Sequence, residues 1–572
     1  PRLNDYIKMY KNGPKNDLSK KEIQDKIKYD ETNDGTEKYK EPKDYELEEW
    51  YERIEHQAVK GIDGFEGAIV LDPKPGIYLN DPISVLDYAS LYPSSIIEKN
   101  ISHETLIEDL SLLPLIGEDN YDTIHYQNWC YISTGKGDTI EKKLGDGQTT
   151  CHFLKKEFMK ERNLIDNLGK DEEPLGIVPA VLKHLLDARN ATKKRMKKEK
   201  NEFKKKVLDG LQLAYKVTAN SVYGQLGAKT STIYKMKLAA CTTSVGRSRI
   251  DDASFGVKDW ANKKGYPEPD VIYGDTDSVF VKFSRLKDGQ TLVGKEALKH
   301  CIQCGIEAGD YITNGTLLVD NVDGSQDEEE HEPLLCKPQD LEYEKTFWPF
   351  ILISKKRYTG DKYEIDIDDC KRTSMGIVLK RRDNAQIVKH VFGNVIEKIM
   401  IDKDFAMTLD WLKQTLKEIR NGEFPLRYFV ITKALRGYYK NPKGIAHKVL
   451  ADRMAERDPG NKPKSNDRIP YAYIDKGKTR EIIGYKKVKE RRVVGKFKDG
   501  RTKYKNFMIE DLSQPKYKKI NILQGDRIEH IDYIKEKQLV LDYEFYITNQ
   551  IMNPVKQVLD LEMDKDETLK IF

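Results

Sequence analysis

The sequence predicts a mixed α+β fold, and three observations carry that prediction. Apolar, β-rich runs such as ISVLDYA (Ile83–Ala89) and VIYGDTDSVFVKF (Val271–Phe283) read as strands. A separate stretch, Ile177–Leu226, has the length and composition of long helices. From about residue 385 onward, helical stretches alternate with basic loops.

The elements follow in order. Residues 1–60 are polar and charged and read as a lead-in segment. GAIVLDPKPGIYL then reads as two strands about a Pro/Gly turn. After the strand Ile83–Ala89, SLYPSSIIEKN places Pro93 in the first turn of a helix, where its missing N–H costs nothing. Ile177–Leu208 reads as one helix, Asp209-Gly210 as a break, and Leu211–Leu226 as a second helix, together an antiparallel helical hairpin. DVIYGDTDSVFVKF reads as a β-hairpin with its turn near the aspartates.

Composition limits the partners. Of 572 residues, 38% are hydrophobic and 34% charged, which fits large charged surfaces. The formal net charge is only +4, but its distribution is uneven. Lys193–Lys206 holds nine basic and two acidic residues, and Asp475–Lys505 thirteen basic and four acidic. Such blocks, interleaved with Tyr and Phe, suit a phosphate backbone; a solvated helix face is the other reading of each. An acidic run, DEEEHE, lies at Asp327–Glu332. The seven scattered cysteines argue against a disulfide framework and for a reducing compartment. Cys301 and Cys304 form a lone CxxC within an amphipathic helical pattern, where core packing is favoured over a metal site. No apolar run approaches the ~18 residues of a membrane span, and no signal peptide is visible. The chain opens on Pro1 rather than Met, which suggests a fragment or a processed product.

Paired carboxylates inside an apolar run need a reason. Asp275 and Asp277 are at i and i+2, which in a strand presents both to one face. Close carboxylates repel unless they share a proton or a cation. Asp87 ends the strand that precedes the Pro93 helix and supplies a third carboxylate if the strands are neighbours. Oxygen-only donors favour Mg²⁺, and three aspartates can hold two ions ~4 Å apart for in-line phosphoryl transfer. A bare D-x-D is otherwise a polar turn. On the second helix, Lys216, Asn220, Tyr223 and Gly224 share one face; on the first, Arg189 and Lys193 share another. If those faces converge, three cations stand ready for a triphosphate.

At this point the chain resembles family B (alpha-like, polymerase delta-type) DNA polymerases, including those of large DNA viruses. DYASLYPSSI (Asp87–Ile96), KVTANSVYGQLG (Lys216–Gly227) and YGDTDSVF (Tyr273–Phe280) are similar to that family's motifs A, B and C, in family order. KKRYTG (Lys355–Gly360) resembles the element that tracks the primer–template duplex. Stretches from Met375 to Val555 are similar to thumb regions of the delta type.

The resemblance implies a right-hand architecture: an antiparallel-sheet palm, helical-hairpin fingers and a mostly helical thumb. It divides the chain into a lead-in (1–60), palm (61–175), fingers (176–227), palm (228–384) and thumb (385–572). It implies DNA-directed DNA synthesis with two Mg²⁺, with Asp87, Asp275 and Asp277 catalytic and Asp275 the less direct metal ligand. Arg189, Lys193 and Lys216 match the groups that hold the incoming dNTP. The amides of Ser90, Leu91 and Tyr92, at a helix N-terminus, form a phosphate cradle. Asn220 and Tyr223 match the base-pair pocket, Tyr92 matches the sugar gate, and Lys355, Lys356, Arg357 and Tyr358 match the duplex contacts. The implied partners are primer–template DNA, dNTPs and, from the likeness of the terminal ETLKIF to a clamp anchor, a sliding clamp. No membrane role is implied; the setting is intracellular, in the nucleus or a cytoplasmic viral replication site.

One departure from the family stands out. Motif A arrives at Asp87, which leaves no room upstream for a 3′–5′ exonuclease domain, so this chain is expected not to proofread. DYE (Asp44–Glu46) and the two DLE triplets (Asp340–Glu342, Asp560–Glu562) mimic a nuclease motif at positions that do not fit the domain order. The rival reading is a non-catalytic polymerase-like scaffold that binds DNA. Loss of the metal aspartates would mark it, and all three are present.

Overall fold

A computed structural model of the chain describes residues 64–133, 139–162, 164, 173–287, 289–320, 326–476, 480–496, 502–519 and 523–572. The lead-in over 1–60 lies outside the described residues. The fold is mixed α+β and divides into two compact units. One holds residues 64–74, Asn80–Phe347 and Lys362–Cys370; the other holds Pro75–Leu79, Trp348–Asp361 and Lys371–Phe572.

The first unit is built on strand β1 (Ile83–Tyr88), whose side chains are almost wholly buried. Its one polar interior residue is satisfied: Ser84 Oγ donates to the Cys301 carbonyl at 2.9 Å and lies 3.0 Å from Thr346 Oγ1. Helix α1 (Leu91–Glu98) follows directly. A long hairpin, β2 (Tyr121–Ser133) with β3 (Thr139–Leu154), comes next; the sequence reading assigned it to the palm without resolving its strands.

Helices α2 (Ile177–Lys198) and α3 (Glu202–Gly227) are the expected hairpin, but the break is not at Asp209-Gly210. It falls at residues 199–201, where Asn201 caps α3 by accepting from the Phe203 and Lys204 amides at 3.0 and 3.1 Å. Gly210 stays helical at a cost of about 1 kcal/mol. Beside it, Asp209 accepts from the Gln212 side-chain amide at 3.0 Å.

Helix α4 (Met236–Lys263) and helix α5 (Gly294–Asn314) bury Ile250, Val257, Trp260, Ala308 and Ile312 with Leu86, Val279 and Val281 in one core. Cys301 and Cys304 belong to that core, on the buried side of α5. Strands β4 (Asp270–Asp275) and β5 (Ser278–Lys282) form the expected hairpin. β1 is central: β5 pairs with it on one side, and the first half of β6 (Leu341–Ser354) pairs on the other, both antiparallel.

In the second unit, the latter half of β6 pairs with the short strand Gly76–Tyr78, and β7 (Arg357–Tyr363) and β8 (Cys370–Met375) continue the chain. Its core gathers α6 (Gln386–Ile401), α7 (Phe405–Arg420) and the helix Met552–Leu559 around Phe392, Leu412, Phe429, Tyr546 and Val555. The region mixes helices and strands; a small sheet is formed by Ile431–Ala434, Arg468–Tyr473 and Ile528–His530. Ile571 and Phe572, in the expected clamp anchor, pack against this core.

The basic stretch from Asp475 is largely a two-stranded antiparallel ribbon, β9 (Arg480–Lys496) with β10 (Thr502–Lys519), instead of a loop. Residues 477–479 and 497–501 of that stretch lie outside the described residues. Among the described residues no helix is long and apolar enough to cross a membrane.

Candidate active site

The carboxylates meet where β1 ends beside the β4–β5 turn. Asp87 is flanked on both sides, paired with Ser278 of β5 and Glu342 of β6. The Tyr88 amide donates to the Asp277 carbonyl at 2.8 Å, and the Ala89 amide to the Asp340 carbonyl at 2.9 Å. Asp275 is the last residue of β4, while Thr276 and Asp277 form the turn, with Thr276 at φ 61°. The strand alternation expected from the sequence therefore does not apply, because a turn, not a strand, sets the two aspartates. Asp275 accepts from the Tyr273 hydroxyl at 3.2 Å and from Thr276 Oγ1 at 3.1 Å.

The electrostatics link Asp87 and Asp277. Burial, the charge of Asp277 and that of Glu344 push Asp87 up to about 7, against the pull of Lys345 and Lys216. Burial, then Asp275 and Glu344, also raise Asp277, while its backbone hydrogen bond and Lys216 act the other way. Oxygen donors that are desolvated and crowded by like charge form a set that a hard divalent cation would relieve. Asp87 and Asp277 fit Mg²⁺ on those chemical grounds. Among the described residues, however, no three or more His, Cys, Asp or Glu side chains are grouped so as to hold a metal ion. Asp275 is engaged with its own turn.

The cations come from the helical hairpin. Arg189 Nε reaches Gln212 Oε1 across it at 3.5 Å. Burial and the neighbouring charges of Arg189 and Lys216 hold Lys193 below the usual lysine range, so the three expected cations share one field. Glu342 opposes that lowering at both Arg189 and Lys193. Lys216 acts on both Asp87 and Asp277, which ties the cation face of α3 to the carboxylates.

Ser90 caps α1 in the left-handed region, at φ 61° and ψ 55°, and offers no side-chain cap. The helix's first amides, including Leu91 and Tyr92, have no intrahelical acceptor. The Tyr92 ring packs on Tyr223 with centroids 4.5 Å apart. Burial, Tyr223 and Asp277 all raise its hydroxyl, which puts it within the field of the carboxylates. Gly246 on α4 makes room: a Cβ there would stand 3.0 Å from Tyr92 Cε1. Asn220 is exposed on α3.

In the second unit, Lys355 and Lys356 are exposed in the turn from β6 to β7, and Arg357 Nη1 donates to Gln557 Oε1 at 2.6 Å. Tyr358 is buried beside Phe350, with centroids 5.6 Å apart, so its ring is a packing group.

The sequence reading missed Glu342, Glu344 and Gly246. Glu342 lies in a triplet set aside as a chance nuclease mimic. The available signal was the charged alternation in LEYEK, but only the pairing of β6 with β1 turns it toward Asp87.

Comparison with known proteins identifies the family. The model of DNA polymerase family B matches residues 31–304 and 325–561, and the chain belongs to that family. It is 39% identical over 547 residues to a DNA polymerase of Pyramimonas orientalis virus, covering 88% of this chain and 38% of that one. It is 33% identical over 416 residues to the DNA polymerase delta catalytic subunit of Candida albicans, covering 72% of this chain and 33% of that one. The chain thus spans well under half the length of these relatives. The solved family B DNA polymerase of Pyrobaculum calidifontis is similar at a TM-score of 0.49 and 21% identity, over 87% of this chain and 47% of that one.

Proposed function

We propose that this chain carries template-directed DNA synthesis: the primer 3′-hydroxyl attacks the α-phosphate of a dNTP and pyrophosphate leaves. The observation that carries the reading is the pairing of Asp87 with Ser278 and the Tyr88 amide's bond to the Asp277 carbonyl, which set Asp87 beside the Asp275–Asp277 turn. Asp87 and Asp277 would hold two Mg²⁺, with Asp275 the less direct ligand. When bound, the ions supply activation of the attacking hydroxyl and stabilisation of the leaving charge. Arg189, Lys193 and Lys216 neutralise the triphosphate, and the amides of Ser90, Leu91 and Tyr92 orient it. Tyr92 and Tyr223 shape the pocket for sugar and base, and Asn220 lies on the same helix face as Lys216 and Tyr223. Lys355, Lys356 and Arg357 with the ribbon β9–β10 hold duplex phosphates. The reading assigns palm to 61–175 and 228–384, fingers to 176–227 and thumb to 385–572, and includes no 3′–5′ trimming by this stretch of chain.

The test is primer extension on four templates that differ at the first unpaired base. The expected outcome is addition of the complementary dNTP on each, dependent on Mg²⁺. Addition that ignores the template base, or DNA binding without addition, contradicts the reading.

A further inference from the structure

Helix α2 carries Arg189 and Lys193 but brings no cap of its own, since its N-cap residue is Gly176. The first amides of a helix need acceptors. Here they come from a loop far upstream in sequence. The Gly176 amide donates to Asn100 Oδ1 at 2.8 Å, the Ile177 amide to Glu104 Oε1, and the Val178 amide to Ser102 Oγ at 3.2 Å. Ser102 Oγ donates to the Glu104 carboxylate at 2.9 Å. Thr105 Oγ1 donates to the Asn100 carbonyl at 2.5 Å and accepts from the Ser102 amide at 3.1 Å.

This collar is tightly built. Asn100 sits at φ 47°, and its Nδ2 donates to the Leu154 carbonyl at 2.8 Å. The loop is pinned to β3 by Ile107 N to His152 O and Leu154 N to Thr105 O, both 2.9 Å. Gly176 is required by the close approach: a Cβ would lie 2.7 Å from Ser102 Cβ and 2.8 Å from Glu104 Oε1. A carboxylate at this end also faces the positive pole of the helix.

The collar sits at the base of a lever. α2 has 22 residues, and its buried ones are Pro179, Leu182 and Thr192. At 1.5 Å per residue, Arg189 stands about 18 Å and Lys193 about 24 Å from Ile177. A tilt of about 10° at the base moves those groups by roughly 3–4 Å, more than the length of a hydrogen bond. The collar loop begins where α1 ends, and the other end of α1 carries Ser90, Leu91 and Tyr92. One helix of 8 residues thus joins the phosphate cradle to the base of α2.

We propose that Asn100, Ser102 and Glu104 are positioning residues for nucleotide capture. By capping α2 in trans they fix the angle at which Arg189 and Lys193 meet the incoming triphosphate. The proposal rests on the nucleotide-binding reading above, and its test separates the two.

Glu104→Ala, Glu104→Gln and Ser102→Ala are compared with wild type for single-nucleotide incorporation at saturating primer–template, with DNA affinity measured separately. Glu104→Ala is expected to raise KM for the dNTP about tenfold and to leave the DNA Kd within twofold. Glu104→Gln keeps an acceptor and is expected to recover most of the loss. A spin-label pair at Lys156→Cys and Lys198→Cys, with Cys130, Cys336 and Cys370 replaced by Ser, reads the helix angle without catalysis. Its distance distribution is expected to broaden in Glu104→Ala. An ordinary cap would lower Tm and move neither readout, and an unchanged KM or an unchanged distribution overturns the proposal. If wild type incorporates no nucleotide, the function reading itself fails, and the capture role fails with it.

Discussion

On the proposed reading, Tyr92 is the residue on which the nature of the product turns. It is the second residue of α1, wedged between Tyr223 and the space left by Gly246, within the field of Asp277. On the proposed reading, a ring packed on Tyr223 and close to Gly246 has little room to yield, so a 2′-hydroxyl on a sugar placed beside Asp87 is expected to clash with it. Discrimination of about 10³-fold corresponds to roughly 4 kcal/mol, which a rigid steric contact can supply. Tyr92→Ala is expected to lower the dNTP-to-rNTP ratio of kcat/KM by about 10²-fold or more, while keeping some dNTP use. Equal ratios in the two proteins would remove Tyr92 as the gate. The site residues whose proximity was legible in the sequence lie inside contiguous motifs: Asp87, Asp277, Lys216 and Tyr92. Glu342, Glu344 and Gly246 were not legible, because each acts on a partner that only strand pairing or helix packing brings near.

At the scale of elements, the ribbon β9–β10 is the clearest departure from expectation. The stretch reads as a basic loop from its charge, yet the alternation in KKVKERRVV fits a strand equally well, and the ribbon is what forms. As a strand it sets Lys487, Lys489 and Arg491 on one face, all exposed, at ~6.8 Å intervals. Each phosphate neutralised on a duplex contributes a salt slope of about 0.9 in log Kd. Replacing these three by Gln is expected to flatten the slope for duplex DNA by about 2–3. The same number of replacements in Lys193–Lys206 is expected to do less, because Lys194, Lys197 and Lys198 lie on exposed faces of α2. An unchanged slope in the ribbon variant would return it to a merely solvated surface. The helical hairpin was legible as a pair. Its break was not, because Asp209-Gly210 looked the stronger stop while the Asn201 cap decides the boundary.

At the scale of the molecule, the two units divide the proposed work. The carboxylates, the α2–α3 cations and the Tyr92 pocket belong to the first. The Lys355–Arg357 turn and the ribbon belong to the second. That division predicts separable losses: chemistry can be abolished in the first unit while the duplex grip of the second survives. The most direct measurement is primer extension alongside duplex affinity in Asp87→Asn and Asp277→Asn, both near-isosteric. Extension is predicted to fall by at least about 10³-fold, roughly 4 kcal/mol of barrier, in each variant, with the Kd for primer–template within a few-fold of wild type. Near-normal extension by either variant would contradict the assignment of Asp87 and Asp277 as the catalytic pair.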